Sequence, residues 1–196
     1  MSASTASAVR PPAAAAGTRQ LVADYFELTK PKVQTLLLFT TVTAMEVAGH
    51  PSAGKIGLTC LGGYLSAGGA GAVNHYYDRD IDAQMARTAS RPVPSGRVAP
   101  RAALVYGIVL AALSFALLSL TVNVLAASLA LGGFVGYVGV YTMLLKRRTP
   151  QNIVIGGAAG AMPPLVGWAA ARGSLSWTAI YLFAIVFYWT PPHFWA

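Results

Sequence analysis

Charge is scarce in this chain. Of its 196 residues only 14 are Lys or Arg and 6 are Asp or Glu, 10% in all, against about 25% in soluble globular domains. So few charges cannot cover the surface of a soluble domain of this size, but they suffice for loops between lipid-embedded helices. Cysteine is scarcer still, and Cys60 alone excludes a disulfide framework and a four-cysteine zinc site. The first 17 residues are an Ala/Ser/Pro tail without the apolar core of a secretory signal. They read as part of a disordered cytoplasmic tail over 1–24, followed by one transmembrane domain over 25–196.

Apolar residue is abundant, at 55%. Cutting the chain at its charges leaves six apolar stretches, at 33–49, 56–73, 102–122, 124–145, 153–171 and 177–196. About 20 residues of helix cross a hydrocarbon core of about 30 Å, and none of the stretches alternates as a strand does. The expected fold is all-α, a polytopic membrane bundle of about six helices. Pro163-Pro164 and Pro191-Pro192 are expected to break the fifth and sixth spans, and Gly156 and Gly160 are spaced for close helix contact.

Twelve of the fourteen basic residues fall before span one, between spans two and three, or after span four; only Lys55 and Arg172 fall on the other side. The positive-inside rule then places the N-terminus and both basic loops in the cytoplasm of a cell membrane. The net charge of +8 is accounted for by this bias, and no nucleic-acid-binding pattern is present.

Three of the six acids sit together where span two ends, in Asn74-His75-Tyr76-Tyr77-Asp78-Arg79-Asp80-Ile81-Asp82. Asn74, Asp78 and Asp82 are spaced i, i+4, i+8 and stack on one helix face, while Asp80 points elsewhere. A column of hard oxygens suits Mg²⁺, which takes one or two carboxylates and completes its shell with water and substrate phosphate. The loop that follows holds Arg87, Arg91 and Arg97, and carboxylate-held Mg²⁺ beside guanidinium forks is an arrangement that binds a diphosphate. The alternative is a solvated loop of ion pairs that stabilise little. Lys146 and Asn152, on the second basic loop, either face this site or anchor the chain at the membrane surface. His193 is a candidate haem ligand, and His75 a candidate substrate or outer metal contact.

Asn74-x3-Asp78-x3-Asp82 followed by Arg87-Thr88-x2-Arg91-Pro92 resembles the first aspartate-rich motif of the UbiA-type intramembrane prenyltransferases. His75 after the asparagine is similar to the branch that makes haem O. So are Glu27-Leu28-Thr29-Lys30-Pro31-Lys32, Lys146-Arg147-Arg148-Thr149-x2-Asn152, Met162-Pro163-Pro164 and Trp189-Thr190-Pro191-Pro192-His193-Phe194-Trp195. The resemblance implies farnesyl transfer from farnesyl diphosphate to a vinyl group of haem B, with water adding. It implies Mg²⁺ held by Asn74, Asp78 and Asp82, diphosphate contacts from Arg87, Arg91, Lys146 and Asn152, haem contacts from His193 and His75, and association with haem A synthase. It also implies about nine helices and a second acidic motif in the whole family fold, of which this chain carries the N-terminal part. A prenyltransferase for an aromatic quinone precursor, and an inactive or transporter-like membrane protein, are the competing readings.

Overall fold

The computed structural model describes residues 17–195. These form nine α-helices and one π-helix: α1 (Thr18–Leu28), α2 (Pro31–Gly49), α3 (Ala53–Tyr77), α4 (Arg79–Gln84), α5 (Pro100–Thr121), α6 (Val124–Val135), which runs into the π-helix Gly136–Leu145, then α7 (Asn152–Gly160), α8 (Met162–Arg172) and α9 (Trp177–Trp195). No strand occurs among the described residues. Local chemistry sets several boundaries. Pro31 and Pro100 occupy first turns, where a missing N–H costs nothing. Ser52 Oγ accepts from Lys55 N at 3.3 Å and Asn123 Oδ1 from Ala126 N at 2.8 Å, capping α3 and α6. Gly173, at φ 71°, closes α8 in the left-handed conformation that glycine adopts freely.

Four segments are long and apolar enough to cross a membrane: Ala53–Tyr77, Pro100–Thr121, Val124–Leu145 and Asn152–Arg172. The other two of the six expected spans are α2 and α9, each of 19 residues. Gln34, four threonines and Glu46 dilute the apolar character of α2, and α9 is rich in Trp, Tyr and Pro rather than aliphatic residues.

Two expectations are corrected. Residues 1–16 lie outside the described residues, but 18–24, expected in the disordered tail, are helical. Asp24 is buried there and accepts from Gln20 Nε2 at 3.1 Å and Arg97 Nε at 2.9 Å, which ties α1 to the first basic loop. The break expected at Pro191-Pro192 is absent, and α9 runs through both prolines. Only the last turn follows them, so the loss is the two bonds that Phe187 and Tyr188 carbonyls would have accepted. The break at Pro163-Pro164, in contrast, is present: α7 ends at Gly160, and α8 restarts at Met162.

The core is made by small residues. On α3, Gly62, Ser66, Gly69, Ala70 and Val73 are buried, and α5 lies so close that a Cβ on Gly107 would stand 2.6 Å from Gly69 O. With no water to drive association in lipid, such close backbone approach and bonds between helices do the work. Ser66 Oγ donates to Ala130 O at 2.9 Å and Ser114 Oγ to Gly62 O at 2.7 Å. Leu36, Phe39, Leu61, Val105, Leu113 and Leu120 stay exposed on the outside, as a lipid-facing surface requires.

Gly107→Val is expected to destabilise the bundle by about 2 kcal/mol or more, because it meets Gly69 O and Val73 N, backbone atoms that cannot swing aside, as well as the Val73 side chain. Thermal unfolding in detergent checks this; an unchanged Tm would show that α3 and α5 are not held at this distance.

Candidate active site

The acidic column survives the end of α3. Asp78 sits at the junction of α3 and α4 with φ −90° and ψ 3°. Its N–H still donates to Asn74 O at 2.9 Å, and Asp82 N–H to Asp78 O at 2.8 Å, so the i, i+4 register carries across the bend. Asn74, Asp78 and Asp82 are 3%, 2% and 5% exposed. A buried carboxylate needs a partner, and each one has a basic residue from a different part of the chain.

Lys146 Nζ donates to Asp78 Oδ2 at 2.5 Å, and Asn74 Nδ2 donates to the same oxygen at 2.6 Å. Arg91 Nη1 donates to Asp82 Oδ2 at 2.8 Å, and Thr88 Oγ1 to Asp82 O at 2.9 Å, fixing the first basic loop on α4. Lys30, from the corner between α1 and α2, donates to Asn74 Oδ1 at 2.7 Å and to the Tyr137 hydroxyl at 3.3 Å. Burial pulls the Lys146 ammonium down, but the hydrogen bond and charge of Asp78 together hold its pKa above the ordinary lysine value.

The π-helix explains how Lys146 reaches this point. A backbone bond in the i→i+5 pattern runs from Lys146 N to Tyr141 O at 2.8 Å, and the Thr142 hydroxyl donates to Tyr137 O at 2.9 Å across the same turn. A π-helix turns about 82° per residue, so the nine steps from Tyr137 to Lys146 return to within about 20° of the same face. Nine α-helical steps of about 100° would put Lys146 on the opposite side. The wider turn therefore aligns three groups: Tyr137 and Tyr141 stack at 5.3 Å, and Lys146 Nζ lies 5.9 Å from the Tyr141 ring centre. Thr142, buried between them, accepts from Asn74 Nδ2 at 3.3 Å.

From Lys30 and Tyr137 an apolar cavity of about 280 Å³ extends between α2, α3, α6 and α8. Along α2 its wall passes from Val33 through Leu37 and Leu38 to Thr41, about 16 Å of helix from Lys30. Its polar wall residues spend their donors on backbone: Gln34 on Thr29 O at 2.9 Å, Thr41 on Leu37 O at 2.9 Å, and Ser66 on Ala130 O. The wall thus offers an apolar ligand little to hydrogen-bond.

The remaining expected residues are placed as follows. Arg87 is exposed on the first basic loop. Asn152 donates to Thr149 O at 2.7 Å and Lys146 O at 3.4 Å, so it shapes the loop that carries Lys146. His75 is buried with neither ring nitrogen hydrogen-bonded. His193 is exposed and stacks on Trp189 at 4.2 Å, outside the column. Asp80 points away from it to the outer surface, where the hydrogen bond from Arg147 holds its carboxyl at about 2. Asn74 Oδ1, the one atom through which that residue can ligate a cation, is taken by Lys30.

As a metal site the column is incomplete by itself, since no group of three acid, His or Cys side chains gathers among the described residues. Its two carboxylates and the buried, unpartnered Asp78 Oδ1 fit a Mg²⁺ that brings phosphate oxygens with it. Lys30, Tyr137 and Thr142 were not singled out as site residues from sequence. The corner Lys30-Pro31-Lys32 resembled an ordinary membrane-surface step, and nothing in a smooth apolar run announces a π-helix.

The model of the UbiA prenyltransferase family matches residues 36–196. The chain belongs to the UbiA prenyltransferase family. Among relatives in it, the protoheme IX farnesyltransferase of Synechococcus sp. (strain JA-3-3Ab) is 57% identical over 177 residues, covering 90% of this chain and 54% of the relative. That of Symbiobacterium thermophilum is 58% identical over 179 residues, covering 90% and 60%. That of Chloroflexus aurantiacus is 57% identical over 180 residues, covering 91% and 31%. The chain thus spans between about a third and three fifths of the length of these relatives. A solved structure of a digeranylgeranylglyceryl phosphate synthase has the same fold, with a TM-score of 0.75 at 20% identity over 86% of this chain and 59% of that one.

Asp78 and Lys146 are expected to be energetically coupled. Lys146→Met alone strands a buried carboxylate and lowers stability, and adding Asp78→Asn restores part of the loss. A double-mutant cycle of thermal stability is expected to give a coupling of about 1 kcal/mol or more; strictly additive losses would contradict the pairing.

Proposed function

We propose that this chain supplies the diphosphate-binding part of a protohaem IX farnesyltransferase, which joins farnesyl diphosphate, haem B and water to give haem O and diphosphate. One observation carries the reading: a buried cluster of carboxylates and cations opens directly onto an apolar cavity. An amphiphile with a diphosphate head and a prenyl tail matches that pairing of environments. The choice of farnesyl and haem B rests on the three farnesyltransferases to which the chain is 57–58% identical.

In the proposed reaction the allylic C–O bond breaks and its electron pair leaves with the diphosphate. Lys146 and Arg91 hold cations against the place where that negative charge develops, where preorganised donors stabilise a transition state most. Asp78 and Asp82 would hold Mg²⁺, which when bound neutralises charge on the diphosphate oxygens. The apolar wall shields the allylic cation from water until the vinyl π electrons of haem B form the new C–C bond. Water then adds to the resulting cation and releases a proton. Arg87, exposed beside Arg91, is a further diphosphate contact in this reading, and Asn152 acts through the loop it fixes. His75, buried and unpaired, is the better placed of the two histidines to meet a substrate. The basic end of the bundle faces the cytoplasm, and the membrane is the cell membrane.

Haem extracted from membranes containing the protein at the length of its relatives, supplied with haem B, farnesyl diphosphate and Mg²⁺, is expected to contain haem O, and EDTA to suppress it. Asp78→Asn and Asp82→Asn are each expected to lower the yield about 100-fold or more with membrane insertion intact. Undiminished product from both variants would remove the role given to the column.

A further inference from the structure

Lys30 stands where glycine is the usual residue. Its backbone lies in the left-handed region, at φ 54° and ψ 58°, which costs energy for a residue with a Cβ. Among the described residues one other non-glycine residue shares a positive φ, His50, and that side chain is exposed at the end of α2. Lys30 instead turns its ammonium inward. The corner that imposes this conformation is fixed on all sides. Thr29 donates to Phe26 O at 2.7 Å and shares a 2.7 Å bond with the Tyr64 hydroxyl. Gln34 Nε2 donates to Thr29 O at 2.9 Å. The corner also presses on α3 where α3 has no side chains: a Cβ on Gly68 would stand 3.1 Å from Thr29 Cβ, and one on Gly71 would stand 3.0 Å from Leu28 O.

Strain held in place by its surroundings marks functional positions, and the chemistry at this one is specific. A lysine ammonium has three N–H donors. Asn74 Oδ1 and the Tyr137 hydroxyl take two, which leaves one for a ligand, at the point where the apolar cavity meets the acidic column. Lys30 and Tyr137 are both in the cavity wall, whereas Lys146 and Arg91 are not and reach the column from its other sides.

We propose that Lys30 is a direct ligand of the prenyl diphosphate, donating its third N–H to the oxygens at the junction between head and chain. As the C–O bond breaks and the electron pair passes to the leaving oxygen, the ammonium stabilises the added charge from the cavity side, opposite Lys146 and Arg91. The inference rests on the prenyl diphosphate reading above.

The strain supplies the test. Glycine at this position relieves the backbone while deleting the donor, so Lys30→Gly separates a binding role from a packing role. Detergent-solubilised protein, wild type and Lys30→Gly, is titrated with farnesyl thiodiphosphate and with farnesol, which keeps the chain and lacks the diphosphate. The expected result is a Kd for farnesyl thiodiphosphate raised about tenfold or more and an unchanged Kd for farnesol, with a cooperative thermal transition retained. Lys30→Arg is expected to recover part of the affinity, and Lys32→Gln, on the exposed neighbour, to leave it at the wild-type value. An affinity unchanged in Lys30→Gly, or one lost equally for both ligands, would overturn the assignment. Wild-type protein that fails to prefer the diphosphate over farnesol would instead overturn the prenyl diphosphate reading, and Lys30 with it.

Discussion

A carboxylate as buried as Asp78 is stable only if cations and donors reach it, and much of the basic end of this molecule is arranged so that they do. Lys146 comes from the end of the π-helix, Asn74 from one turn back on α3, and Lys30 through Asn74 from the α1–α2 corner. Each delivery has a structural cost: a long stretch of weaker π-helical bonding, a polar amide buried in a glycine-rich helix, and a lysine in a strained backbone conformation. A fold selected for stability alone would have none of these, and their convergence on Asp78 Oδ2, two directly and one through Asn74, marks the site more firmly than any single motif.

The same arrangement divides the site into two environments. Above the Lys30–Asn74–Tyr137 contacts the groups are charged and hydrogen-bonded; below them the wall is apolar, and Gln34, Thr41 and Ser66 donate to backbone carbonyls. Charge separation is what ionisation of an allylic diphosphate requires, since one product is a polyanion and the other a carbocation that water would quench. The glycines of α3 serve both halves. They let α5 pack backbone to backbone at one level, and let the α1–α2 corner press in at another.

Much of this was legible in the sequence, because it rests on local periodicity. The helical class followed from long apolar runs, and the column from three polar residues at four-residue spacing, a register that the bend at Asp78 leaves intact. The break before α8 followed from Pro163-Pro164 in mid-span, while the same dipeptide near the end of α9 had too little helix after it to force one. What could not be read was non-local or depended on backbone geometry. The partners of Asp78 and Asn74 lie 68 and 44 residues away. The π-helix leaves no mark on composition, and an α-helical reading of 136–145 sends Lys146 to the wrong face. The helicity of 18–24 depended on Asp24 meeting Arg97, a pairing across 73 residues.

In the proposed function the polar column and the apolar cavity form one site, holding the head and the tail of one ligand. Photo-crosslinking with a farnesyl diphosphate analogue carrying a diazirine at the end of its chain tests it directly. The account predicts adducts on cavity-wall residues such as Leu37, Phe134 and Met162, removed by excess unlabelled farnesyl diphosphate. Adducts confined to the outer, exposed residues Phe39, Leu61 and Leu120, unaffected by competitor, would contradict it.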